Sequence, residues 1–146
     1  MRAVVQRVSA ARVEVAGHVT GAVGRGLVVF LGVGNGDTAE DARRLVDKVV
    51  SLRIFEDPLG KMSRSLLDVG GGLLVVSQFT LYADTSRGRR PSFDQAMPPE
   101  QAEDLYERFI AMAKDRAAGV EAGRFRAMMR VVVDNDGPVT VILDTG

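Results

Sequence analysis

The chain has 146 residues, 46% hydrophobic and 26% charged, with 19 Lys+Arg balancing 19 Asp+Glu and no cysteine. That length predicts one domain, residues 1–146, able to bury a core without metals or staples. The composition excludes a disordered chain, disulfides, thiolate metal sites and cysteine nucleophiles, and zero net charge argues against a protein that grips long stretches of nucleic acid.

The first 33 residues read as strands, rich in β-branched Val4, Val5, Val8, Val13, Val15 and Val19, with Ala16-Gly17-His18 as a hairpin tip. Gly26 to Val33 is a continuous apolar run suited to a strand buried on both faces. Gly34-Asn35-Gly36-Asp37 breaks the chain. Thr38 then caps a helix, with Asp41 in the capping-box position and Ala42, Leu45, Val46, Val49 and Val50 on one stripe. A short strand over Arg53 to Asp57 and a turn at Pro58-Leu59-Gly60 follow. Gly70-Gly71-Gly72 leads into a strand from Leu73 to Tyr82, and Asp84 to Met97 is a polar loop. Pro98-Pro99-Glu100 opens a second helix with Ala102, Leu105, Phe109, Met112 and Ala113 on its buried face. Arg124 to Asp134 and Val139 to Asp144 close the chain as two strands around a turn, Asn135-Asp136-Gly137-Pro138. The expected class is α+β: a single domain of mostly antiparallel, barrel-like β-sheet with two main helices. No apolar run approaches the roughly 20 residues of a membrane-spanning helix, and early arginines interrupt any signal-peptide core, so a cytoplasmic protein without membrane contact is expected.

Several patterns invite chemistry. Gly32-Val33-Gly34-Asn35-Gly36-Asp37 resembles a dinucleotide loop, but its third required glycine falls on Asp37, whose carboxylate would face the phosphates. A strand-to-helix turn is the better reading. Gly70-Gly71-Gly72 lacks the Lys-Ser/Thr ending of a phosphate loop. His18 is the one histidine, placed at a hairpin tip, so a histidine-based triad carries little weight. Asp134, Asp136 and Asp144 have no recognisable ligand spacing, and neither a metal nor a cofactor is expected. On the predicted strand, Ser77, Phe79 and Leu81 share one face, while Gln78, Thr80 and Tyr82 make a polar row on the other. From periodicity alone that row is solvent-facing or covered by a second subunit, and Gly137-Pro138 starts the last strand. Arg87-Gly88-Arg89-Arg90 is from composition a solvated loop, although it leaves room for contact with an RNA end.

Taken in order, these segments resemble the bacterial and eukaryotic D-aminoacyl-tRNA deacylases along essentially the full chain. The resemblance rests on Met1-Arg2-Ala3-Val4-Val5-Gln6-Arg7-Val8, Ser77-Gln78-Phe79-Thr80-Leu81-Tyr82, Arg90-Pro91-Ser92-Phe93, Gly123 to Met129, and Asn135-Asp136-Gly137-Pro138-Val139-Thr140. It implies a homodimer that hydrolyses D-aminoacyl-tRNA and mischarged Gly-tRNA, a proofreading activity in translation. It implies that Gly137-Pro138 is cis, projects into the neighbouring subunit's site and excludes L-amino acids. Arg7 and Met129 match residues that support that loop. The same resemblance implies catalysis within Ser77, Gln78, Phe79 and Thr80. Either Thr80 is a nucleophile, or backbone amides near Phe79 and Thr80 polarise the ester while the ribose 2′-hydroxyl or water completes the reaction; the latter suits a chain with no good general base. The partner is then the tRNA 3′ end, its terminal adenosine in a pocket and Arg87, Arg89 or Arg90 near a few phosphates. A small-molecule esterase using Thr80, and a non-catalytic module whose polar strand face pairs subunits, are the competing readings.

Overall fold

A long first strand organises the molecule, which the computed structural model describes over residues 1–146. Strand β1 (Arg2–Val15) turns at Ala16-Gly17 into β2 (His18–Val23), and β3 (Gly26–Gly32) follows. One edge of β1 pairs antiparallel with β3 through residues 2–8 and with β2 through residues 11–15. Its other edge pairs along its length with β8 (Arg130–Asp144). Beyond β3 the sheet continues in parallel register through β6 (Gly72–Ser77) and β7 (Gly119–Ala122). The curl nearly closes where β2 meets β7: a Cβ on Gly21 would stand 2.7 Å from the Ala122 carbonyl oxygen, so only glycine lets these backbones approach. The mostly antiparallel, barrel-like α+β arrangement is therefore present, with two parallel strand pairs added.

The two main helices, α1 (Ala39–Ser51) and α3 (Pro99–Lys114), pack together against the outer face of this sheet. α1 starts at the expected capping box, Thr38 with Asp41. Ala42, Leu45, Val46, Val49 and Val50 are buried on its inner stripe, and Ala102, Leu105, Tyr106, Phe109 and Ala113 on that of α3. They meet the alternate strand residues Ala3, Val5, Leu27, Val29, Leu31, Leu73 and Val75. The intervening residues Val8, Val13, Val28, Leu74 and Val76 build a second cluster inside the curl. Because both faces of β3 and β6 are covered, their sequences are unbroken apolar runs rather than alternating ones.

Four expected elements change. The strand predicted for Leu73 to Tyr82 stops at Ser77, and Phe79–Tyr82 is a 3-10 turn; the alternation that would put Gln78, Thr80 and Tyr82 on one strand face is lost. The strand predicted from Arg124 begins at Arg130, because residues 124–129 form a bend instead. Asn135 to Pro138 does not reverse the chain. Both arms of β8 pair with the same strand β1, and the segment is an outward excursion within β8. The short strand expected over Arg53 to Asp57 reduces to β4 (Phe55–Glu56), paired with β5 (Met62–Arg64). The one-turn helix α2 (Leu66–Val69), capped by Ser65 and Asp68, and strand β7 were not foreseen.

Candidate active site

The segment from Ser77 to Tyr82 departs from the sheet in a defined way. Gln78 N donates the last ladder bond, to the Leu31 carbonyl at 2.8 Å. The backbone then leaves strand geometry at Gln78 (φ −146°, ψ 81°) and winds into the turn. The first N–H groups of any helical turn lack intrahelical partners. Here no side chain caps the turn, and none of the loop and cap hydrogen bonds uses the Phe79 or Thr80 amide. The Gln78 side-chain amide donates to Thr80 Oγ1, and both Phe79 and Thr80 are exposed. The turn is seated on glycine: a Cβ on Gly34 would lie 2.5 Å from the Tyr82 ring. Asp37, which spoils the dinucleotide pattern, accepts from the Gly34 amide at 2.6 Å. The glycine-rich stretch thus serves as the bed of the turn rather than as a phosphate cradle.

Ser77, Gln78 and Phe79 form one wall of a cavity of about 690 Å³. Its other walls come from the loop bearing Phe93, from α3 through Tyr106, and from the bend bearing Phe125 to Met129. Phe79 and Phe93 meet edge to face at 5.0 Å between centroids, and Tyr106 lies 5.4 Å from Phe125. Burial pushes the Tyr106 phenol up to about 12, so it stays protonated at neutral pH and donates to the Val75 carbonyl at 3.1 Å. That carbonyl also accepts from the Gly123 amide at 3.0 Å. Tyr82 is likewise raised to about 12, first by burial and then by Asp37 and Asp144, although Arg2 stacks on its ring at 4.6 Å. The cavity lining contains no carboxylate, histidine or thiol. Its polar side chains are Ser77, Gln78, Tyr106 and Arg126, none of them a ready base to deprotonate a hydroxyl nucleophile.

Gly137-Pro138 lies elsewhere. Its peptide bond is cis and both residues are exposed. Val8 pairs with Asn135 and Gln6 with Thr140, so Asp136 to Val139 stand opposite Arg7 alone. Two contacts fix this excursion. Asn135 staples its neck, accepting from Val139 N at 2.9 Å and donating to the Val139 carbonyl at 3.2 Å. Arg7, only 6% exposed, donates from Nε to the Asp136 carbonyl at 2.9 Å and from Nη1 to the Ile54 carbonyl at 2.8 Å. Its guanidinium also lies 3.6 Å from the Asp136 carboxylate. Within one chain the two motifs do not meet. Ser77 is level with Leu31, Ala3 and Leu143 across the sheet, whereas the excursion lies opposite Arg7, about 13 Å farther along β1 and three strands away.

Of the remaining candidates, Met129 is half-buried in the cavity wall. Arg87, Arg89 and Arg90 are exposed and make no ion pair. His18 is exposed at its hairpin tip. Sequence reasoning missed Phe93, Tyr106 and Phe125 as cavity walls; the helical stripe it traced, Ala102, Leu105, Phe109, Met112 and Ala113, left Tyr106 out, although Tyr106 is buried. It also missed Asp136 and Ile54 as the carbonyls that Arg7 grips.

The family model for D-Tyr-tRNA(Tyr) deacylase matches residues 4–144. A D-aminoacyl-tRNA deacylase of Thermotoga petrophila is 57% identical, covering 99% of this chain and 97% of its own. One from Roseiflexus castenholzii is 59% identical, covering 99% and 92%. Among solved structures, a c-Myc DNA unwinding element binding protein is 42% identical with a TM-score of 0.95, covering 100% of this chain and 99% of its own. A probable eukaryotic D-amino acid tRNA deacylase shares the fold at 19% identity, with a TM-score of 0.84 and 97% of each chain covered.

Proposed function

The chain belongs to the D-Tyr-tRNA(Tyr) deacylase family, and on that premise we propose that it hydrolyses the ester joining a D-amino acid to the 3′ end of tRNA. The observation that carries this reading is the cavity wall at Ser77 to Phe79, where amides of the following turn are left unspent beside an apolar pocket without a base. The terminal adenosine occupies the cavity against its aromatic walls, with the ester carbonyl oxygen at the Phe79 and Thr80 amides. Water adds to the carbonyl carbon with the neighbouring ribose 2′-hydroxyl assisting. The bond to the ribose oxygen breaks, that oxygen takes up a proton, and free D-amino acid and tRNA leave. One preorganised oxyanion donor is worth roughly 10²–10³ in rate, so a site built from backbone can drive the cleavage of an already activated ester.

Chirality selection is assigned to Gly137-Pro138 of a second copy. Its carbonyl oxygens meet the substrate's α-amino group and leave no room for an L side chain, so D-amino acids and glycine enter and L-amino acids do not. The distance between the two motifs within one chain favours a homodimer, as does the surface beside Ser77. There Val4, Phe30 and Ile142 form one cross-strand row, half-buried or exposed, with Ile142 at 70% exposure. Arg7, through the Asp136 carbonyl, holds the filter in its orientation, and Met129 supports the cavity wall. Arg87, Arg89 and Arg90 meet a few phosphates near the 3′ end, which predicts a shallow salt dependence. The function read this way is proofreading of mischarged tRNA.

Deacylation assays with D-Tyr-, L-Tyr- and Gly-charged tRNA test this. Release of D-Tyr and Gly with L-Tyr spared is the expected result. Equal release of L-Tyr would remove the filter, and no release of D-Tyr would remove the activity.

A further inference from the structure

The bend that walls the cavity with Phe125 to Met129 begins in a tight turn, closed by the Ala127 amide donating to the Arg124 carbonyl at 3.2 Å. Arg126 is the third residue of that turn, at φ 65°. A positive φ at this place in a turn is ordinarily supplied by glycine, because a Cβ is strained there. Apart from Ala16 at a hairpin tip, no other non-glycine residue of the chain has a positive φ. The backbone thus favours glycine at a position that carries a long cationic side chain. Strain of this kind gathers where a side chain is held for a ligand.

The surroundings of Arg126 define what it could hold. It is the one charged residue among those lining the cavity. Its side chain is 60% exposed, so the guanidinium stands at the mouth of the cavity and not in its floor. The carboxylate paired with it, Glu100 on α3, lies 3.6 Å away and is itself 79% exposed. That distance is outside hydrogen-bond reach, so the fork of guanidinium donors is free. So exposed an ion pair contributes little and yields readily to a better anion.

The proposed reaction, on which this inference rests, identifies that anion. Adenosine is uncharged and an α-amino ester carries a positive ammonium group. The first negative charge on the substrate is therefore the phosphate on the 5′ oxygen of the terminal nucleoside. With adenosine in the cavity, the rest of the RNA leaves through the mouth, and this phosphate leaves first. Arg87, Arg89 and Arg90 are absent from the lining, so they are left to phosphates farther along. A guanidinium can meet two phosphate oxygens with two parallel N–H donors.

We infer that Arg126 binds the phosphate that joins the terminal adenosine to the rest of the tRNA. It is a substrate-binding residue that fixes how deeply the 3′ end enters the cavity, and hence where the ester lies against the Ser77 to Phe79 wall.

Equilibrium binding of adenosine 5′-monophosphate and of adenosine to the full chain tests the assignment without requiring turnover. The wild type is expected to bind the monophosphate roughly tenfold more tightly, the effect of charge-assisted hydrogen bonds to one phosphate. Arg126→Gly should bring that ratio to about one. The same substitution removes the backbone strain, so its denaturant midpoint should be no lower than that of the wild type, and a lost preference is then not a folding defect. Arg126→Lys keeps a cation on the same strained backbone and should retain a ratio above that of Arg126→Gly. Equal affinity of the wild type for the two compounds overturns the phosphate contact, as does no measurable binding of the monophosphate. A preference that survives Arg126→Gly, or a ratio in Arg126→Lys no higher than in Arg126→Gly, also overturns it. Hydrolysis of 3′-D-tyrosyl-adenosine by the wild type, measured in parallel, reports the deacylase reading separately, since that ester has no phosphate.

Discussion

At Gln78 a strand ends early and the chain coils on itself; at Asn135 a strand continues but is forced outward. The first departure is held locally. Gln78 bonds to Thr80 two residues on, and the turn rests on a glycine bed supplied by the adjacent strand. The second is held from a distance. The excursion hangs on Arg7, a buried guanidinium from β1, which simultaneously grips Ile54. A local device leaves backbone amides free at small cost in stability. A remote device ties the shape of the excursion to the integrity of the fold. Substitutions should therefore separate activity from stability at the turn, but not at the excursion.

Arg7→Ala breaks that contrast most severely. It strands the Ile54 carbonyl in a buried site, frees the partly exposed Asp136 carbonyl, and removes the support of the proposed filter. An unpaired buried acceptor costs about 1–3 kcal/mol, so a loss of stability of that size is expected from denaturant unfolding, together with release of L-Tyr from charged tRNA. Asn135→Ala removes the staple at the neck. It should cost about 1 kcal/mol and relax D-over-L selectivity while D-Tyr release persists. An unchanged D/L ratio would show that Arg7 alone sets the excursion.

Acid should loosen the support of the turn. Arg2 donates to the Leu81 carbonyl at 2.7 Å and to Asp144 at 2.9 Å. The Gly146 amide, and then Arg2, hold the Asp144 carboxyl below its ordinary value of 3.8. A carboxyl more acidic in the folded chain than in the unfolded one stabilises the fold above pH 3.8, and that stabilisation disappears as pH falls through the folded value. Midpoints measured from pH 7 downward should stay level as far as this group is concerned, then fall below that point. In Arg2→Met the part of the fall that Arg2 contributes should vanish. The smallest effect belongs to Thr80→Ala. Its side chain is exposed, so the midpoint should move by less than about 0.5 kcal/mol. Turnover should stay near wild type if the amides carry the reaction. Loss of turnover with intact binding would assign the chemistry to the hydroxyl.

Periodicity revealed the helices and the buried strands β3 and β6, because one-sided and two-sided burial leave different patterns in sequence. It misread both departures from strand geometry. Leu73 to Tyr82 reads as an unbroken strand because Phe79, Leu81 and Tyr82 are good strand formers. What ends the strand is room over Gly32 and Gly34, a tertiary fact. Asn135-Asp136-Gly137-Pro138 has the composition of a reversing turn, and nothing local shows that both flanks pair with β1. Arg7, in an alternating strand, gives no local sign of burial, since its partners lie 47 and 129 residues away. The motifs themselves were legible only through family resemblance. The cavity that joins Ser77, Tyr106 and Met129 required the fold.

The pairing of β1 with β8 joins Arg2 to Asp144, so the first strand of the sheet waits for the last. Contacts that span nearly the whole chain are slow to form, and until β8 docks, Arg7 has no Asp136 carbonyl to hold. On the proposed reading, stereochemical discrimination is thus acquired late in folding, once β8 has docked on β1.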